Sequence, residues 1–199
     1  MTTLDEPRAP GALVVKRTAI GQTTRIALVR FQQRDVLKKG EPVKNPKTGK
    51  NRQELVVTGV VMPGHDAPAA LGDEHATPAP GEIVRVILRG GAFADWIKEK
   101  SALPASDDAQ AGQCKTGDVV EQITNTAQTY NQEGDATGKP LTTQAQVDAV
   151  PRGQSVGIYG PLTLRRSTAG ESAWAAKADE AYHAGTSTTA LADDDGEPF

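Results

Sequence analysis

The stretch IVRVILRGGAFADWIKEKSALP, residues 83–104, changes its period halfway, and that change sets how the rest of the chain is read. From Ile83 to Arg89 the residues alternate: Val84, Val86 and Leu88 share one side, Arg85 and Arg89 the other, as in a strand with one buried face. Beyond the two glycines, Phe93, Trp96, Ile97 and Lys100 fall at i, i+3, i+4 and i+7, the spacing of one helix face, and Pro104 stops the run. A strand therefore leads directly into a short helix, with basic side chains on the strand's outer side.

Outward from this junction the chain reads as strands more than helices. Val14–Ile20, Arg25–Gln33, Glu54–Met62, Asp118–Tyr130 and Ser155–Arg166 are rich in Val, Ile, Thr and aromatics and are separated by Gly, Pro and Asp clusters. A second helix is predicted in ESAWAAKADEAYHAG, where Trp174, Ala178, Ala181 and Tyr182 form a stripe and Gly185 offers a stop. Residues 63–81, 104–117 and 132–153 read as loops, residues 1–12 as a flexible N-terminus and 185–199 as a disordered acidic tail. Strands, a helix, two further strands and a terminal helix make a mainly β fold. The order is that of an OB-fold, a five-stranded Greek-key barrel with its helix between strands 3 and 4, here spanning 13–184; a β-sandwich is the alternative.

Composition narrows the function classes. A chain of 199 residues with 37% hydrophobic residues suits one modest core, and Gly and Pro make up 33 residues. Apolar runs are only a few residues long, so no membrane helix is expected, and the opening MTTLDEPRAPG lacks the basic and apolar regions of a signal peptide. A cytoplasmic protein is predicted, and the single Cys114 excludes an internal disulfide. No cofactor or catalytic signature is found. GQCKTGD, residues 112–118, lacks the order of a phosphate-binding loop, and His65, Asp66, Asp73, Glu74 and His75 lie in a loop without ligand spacing. A non-enzymatic protein without a metal site is expected; a metal-dependent nuclease using those residues is the reading they would support otherwise.

The net charge of −3 conceals a dipole. From Leu13 to Val60 eleven basic residues stand against three acidic ones, a local net of +8, whereas beyond Ala184 the only charged side chains are Asp193, Asp194, Asp195 and Glu197. Such separation marks a polyanion-binding body with an acidic tail. The segment KKGEPVKNPKTGKNR, residues 38–52, reads as a long basic hairpin whose turn formers present Lys38, Lys39, Lys44, Lys47, Lys50 and Arg52. A basic hairpin can follow a phosphate backbone without reading bases. Arg85, Arg89 and Arg165, on strands whose alternation turns them outward, and Arg25, Arg30 and Arg34 are further candidate phosphate contacts. Phe31, Tyr130 and Tyr159 are candidate base-stacking residues, although a chain with eight aromatics needs most of them in its core; Trp96 and Trp174, on helical stripes, are expected to pack.

The chain ends DDDGEPF, residues 193–199. Phe199 combines a ring with a terminal carboxylate among carboxylates, a shape suited to an apolar pocket rimmed by Arg or Lys, and Pro198 restricts its approach. This ending resembles the acidic tip of single-stranded DNA-binding proteins, with Asp193, Asp194, Asp195, Glu197, Pro198 and Phe199 matching and Gly196 at a variable position. The resemblance is confined to these residues; the body lacks the family's usual bacterial N-terminal pattern, so it implies a divergent, phage-encoded member in the host cytoplasm. It also implies an OB-fold that coats single-stranded DNA without sequence preference, a tip that recruits replication, recombination or repair proteins, and a homo-oligomer, with the helix at 171–184 as a possible contact. The competing class is a β-rich virion or assembly protein whose basic stretch meets nucleic acid or another subunit.

Overall fold

The computed structural model describes residues 13–38, 40–45, 48–71, 74–131, 136–151 and 154–190. Its elements are β1 (Leu13–Val15), β2 (Thr23–Asp35), β3 (Leu37–Lys38), β4 (Glu41–Pro42), β5 (Gln53–Val61), β6 (Ala69–Leu71), β7 (Glu74–Ala76), β8 (Ile83–Arg89), α1 (Gly90–Ser101), β9 (Val119–Ile123), β10 (Thr126–Tyr130), β11 (Ala136–Leu141), α2 (Gln144–Asp148), β12 (Ser155–Tyr159), β13 (Leu162–Arg165) and α3 (Ser172–Ala190). The protein is mainly β, with α1 where the change of period predicts it.

Eight strands form one mixed sheet in the order β13-β9-β2-β5-β8-β1-β6-β7. Within it β2, β5 and β8 are antiparallel neighbours, and the chain returns after α1 to lay β9 beside β2, which is Greek-key order. The expected closure into a barrel is not seen among the described residues: β13 and β8 are not paired, and β8 instead takes β1 as a parallel neighbour. The gap between those strands is served by α1, which packs on β13 and more lightly on β8. Leu162 and Leu164 of β13, Val84, Val86 and Leu88 of β8, Ile26 and Leu28 of β2 and Trp96 of α1 belong to a single buried cluster, so both ends of the five-strand set share one core. Trp96, 2% exposed, is the largest of the fully buried side chains, as its helical stripe predicts.

Two predicted strands break in two for a common reason. Asp118–Tyr130 divides at Thr124 and Asn125 into β9 and β10, and Ser155–Arg166 divides at Gly160 and Pro161 into β12 and β13. There the two chains cross closely: the Asn125 amide donates to the Tyr159 carbonyl, Gln122 Nε2 donates to the Gly160 carbonyl, and a side chain at Gly160 would overlap the Ile123 carbonyl. Beyond the crossing β10 leaves the main sheet for a separate three-stranded sheet, β11-β10-β12, built partly from the segment expected to be loop. The same segment holds α2, opened by a capping box between Thr143 and Gln146. The segment 63–81 likewise contains a small hairpin, β6 and β7. Conversely, the strand expected over Val14–Ile20 is only β1, because the Gln22 side chain accepts from the Thr18 and Ala19 amides and turns the backbone away.

The helix α3 runs on to Ala190, past the stop expected at Gly185, whose φ is not in the left-handed region that terminates helices. Its Trp174, Ala178 and Ala181 pack on Ala27, Val29, Val60, Met62 and Val119, on the side of the sheet opposite α1. Among the described residues no helix is long and apolar enough to cross a membrane.

Candidate nucleic-acid interface

Cross-strand register assembles a three-by-three lattice on the side of β2, β5 and β8 that carries α3. Directly opposed residues point to the same side of a sheet. The first row is Arg30, Thr58 and Arg85; the second Gln32, Val56 and Ile87; the third Arg34, Glu54 and Arg89. α3 covers the row before these, at Ala27 and Val60, and Gly185 brings the helix beside the Arg30 guanidinium. Four arginines and one glutamate thus surround a strip of Gln32, Val56, Thr58 and Ile87. Arg30, Gln32, Arg34 and Arg89 are exposed.

Glu54 is the pivot of this surface. It is 3% exposed, and its carboxylate accepts from Arg34 Nε at 2.8 Å through Oε1 and from Arg89 Nε at 2.6 Å through Oε2. A buried carboxylate requires such partners. Both guanidinium groups remain more than half exposed, so each keeps donors turned to solvent.

The basic hairpin predicted between β2 and β5 is present. The Val36 amide donates to the Arg52 carbonyl, Arg52 to Val43 and Val43 to Val36; Lys44 bridges Asn51, and Leu37 and Lys38 pair with Pro42 and Glu41. Lys38, Lys44, Lys50 and Arg52 are exposed along this ribbon, which continues directly from the Arg34 end of the lattice. Lys39 and Lys47 lie outside the described residues, as do Asp193, Asp194, Asp195, Glu197, Pro198 and Phe199 of the tip.

Other candidates have different surroundings from those expected. Arg25 and Arg165, instead of standing free, converge on Glu171: Arg165 donates to both its oxygens at 2.7 and 2.8 Å, and Arg25 Nη2 to Oε1 at 2.8 Å. Arg25 also reaches Glu121. The paired Arg165 guanidinium, helped by the Thr168 amide and hydroxyl, holds the Glu171 carboxyl well below the usual carboxylate range. This clasp fastens the start of α3 to β2 and β13. Phe31, 39% exposed, lies on the opposite side of β2 from Arg30 and Arg34, with its ring 5.3 Å from that of Trp96 and Lys100 Nζ 5.6 Å above it. It extends the core row of Val57 and Val86 to the rim rather than joining the arginine lattice.

Tyr130 and Tyr159 share a face of the small sheet, their hydroxyls 2.7 Å apart. Burial, and then the hydrogen bond to Tyr130, push the Tyr159 phenol above the ordinary tyrosine range. The loop residues His65 and Asp66 are engaged in the fold: His65 Nδ1 accepts from the Arg25 amide and Asp66 from the Thr23 amide. Among the described residues no group of acidic, His and Cys side chains is arranged to hold a metal. Cys114 is half-buried, its thiol pushed up to about 11 by burial and by Asp118.

Sequence reasoning missed Gln32, Val56, Thr58 and Ile87 as the strip between the arginines, and Glu54 as their anchor. Alternation marks their side of each strand, but only the register places them in rows. No family model, characterised protein or solved structure was found to match this chain.

Proposed function

We propose that the protein binds single-stranded DNA without sequence preference, through the arginine lattice and the basic ribbon beside it. The observation that carries this reading is the lattice itself: four arginines on the two strands flanking β5, set around a partly apolar strip and continuous with a lysine-rich ribbon. Guanidinium groups neutralise phosphates, while Val56 and Ile87 offer apolar surface to bases lying across the strands. The Greek-key order of β2, β5, β8 and β9, with α1 between the last two, supports an OB-fold-like body that remains open between β8 and β13. In that fold the face formed by the second and third strands and the loops flanking it meet oligonucleotides, and β5, β8, the ribbon and the small sheet hold the corresponding places. The acidic tip is read as a recruitment site for replication, recombination or repair proteins, and the protein as non-enzymatic.

The test is titration of a fluorescently labelled oligothymidine at low and moderate salt, with a duplex of equal length as competitor. Tight binding that weakens steeply with salt and resists duplex competition is the expected result. Binding to neither form overturns it and leaves the virion or assembly reading.

A further inference from the structure

Arg17 stands where the two sheets meet. It follows β1, and its Nη2 donates to the carbonyl of Ile87 at 3.1 Å, in the middle row of the lattice. That is its only hydrogen bond among the described residues, and no carboxylate there forms an ion pair with it. Burial works against its charge, and the segment just after it is tied to the small sheet, where Thr124 Oγ1 donates to the Ala19 carbonyl and the neighbouring Asn125 amide donates to the Tyr159 carbonyl. A half-buried guanidinium with donors to spare and, among the described residues, no anion beside it is an uncompensated charge, the condition that an anionic ligand relieves.

The tyrosine beside it is held ready for a flat ligand. Tyr159 is 36% exposed, and its ring lies across Gly157, where any side chain would collide with it. The hydroxyl contact with Tyr130 fixes the tilt of the ring. Resting on the reading above, we propose that Arg17, Tyr130 and Tyr159 form a phosphodiester-and-base subsite that grips a single strand as it leaves the arginine lattice for the small sheet. Arg17 donates to a phosphate oxygen from the N–H groups not used by Ile87, and the Tyr159 ring stacks on the adjoining base. Tyr130 is a positioning residue, acting through the Tyr159 hydroxyl.

The experiment compares the intact protein with Arg17→Ala, Arg17→Lys, Tyr159→Leu and Tyr159→Phe, using labelled oligothymidine over a salt series. Arg17→Ala and Tyr159→Leu are expected to weaken binding about tenfold each, and Arg17→Ala to lower the salt slope by about 0.7, one phosphate contact on a single strand. Arg17→Lys keeps that slope while losing affinity, and Tyr159→Phe, which retains the ring but loses the hydroxyl held by Tyr130, binds less tightly than the intact protein and more tightly than Tyr159→Leu. Ultraviolet crosslinking of unsubstituted protein to oligothymidine, mapped by mass spectrometry, should place an adduct on Tyr159 and does not depend on any variant folding. Wild-type affinity in Arg17→Ala and Tyr159→Leu, with no adduct on Tyr159, overturns the subsite while leaving the lattice reading intact. Failure of the unsubstituted protein to bind oligothymidine overturns both.

Discussion

Glu54 decides how much positive charge the lattice presents. Its carboxylate ties Arg34 to Arg89 through the middle strand, so two of the lattice's four guanidiniums are partly neutralised from below. Replacing Glu54 with Gln removes that charge while keeping a polar group of the same shape. Oligothymidine affinity at low salt is expected to rise about fivefold, roughly 1 kcal/mol for an ion pair with half-exposed partners. Fluorescence anisotropy reads this, and weaker binding would show that Glu54 positions the arginines instead of restraining them. At this scale the sequence conveys which way a strand residue faces, because alternation is local. It does not convey what the residue touches: Arg25 lies 146 positions from Glu171, and nothing near Arg25 distinguishes a clasp from a free cation.

At the scale of elements, the ribbon and the clasp of α3 make separate demands. Lys44, Lys50 and Arg52 project from a backbone held by its own hydrogen bonds, so changing all three to Ala should leave the fold intact. If the ribbon follows phosphates, the slope of log affinity against log salt should fall by about 2, at roughly 0.7 for each contact to a single strand. The clasp is a matter of pH. The Glu171 carboxyl titrates below its unfolded value, so its stabilisation is complete above about pH 5 and is lost as pH falls through the ordinary carboxylate range towards the lowered folded value. Glu171→Gln is expected to cost about 2 kcal/mol in urea unfolding at pH 7 and to flatten the loss of stability between about pH 5 and pH 3. An unchanged acid profile would mean that α3 is held by Trp174, Ala178 and Ala181 alone. The elements themselves were largely legible. β2, β5, β8 and α1 carry strong periods over many residues, whereas β9 with β10 and β12 with β13 read as continuous runs because the break is imposed by the crossing at Gly160 and Asn125.

For the whole molecule the charge dipole is the governing feature. The first third supplies the ribbon and two strands of the lattice, β8 supplies the third, and the last residues supply four acidic side chains. Deleting residues 191–199 removes negative charge and nothing from the lattice, so oligothymidine binding should be unchanged or stronger while capture of a tip-binding partner is lost; both are measurable on one truncated protein. A large loss of affinity would place part of the binding surface in the tail. What the sequence determined by itself was the mainly β class, the helix after Ile83–Arg89, the basic hairpin and the burial of Trp96, since each rests on spacing or composition within a few residues. Only the tertiary structure decided that β8 pairs with β1 instead of closing on β13, that Phe31 faces the core side, and that the arginines of β2 and β8 fall into rows across β5. Those outcomes depend on register and on contacts between distant segments, and a one-residue slip in register would turn each strand's arginines to the other side.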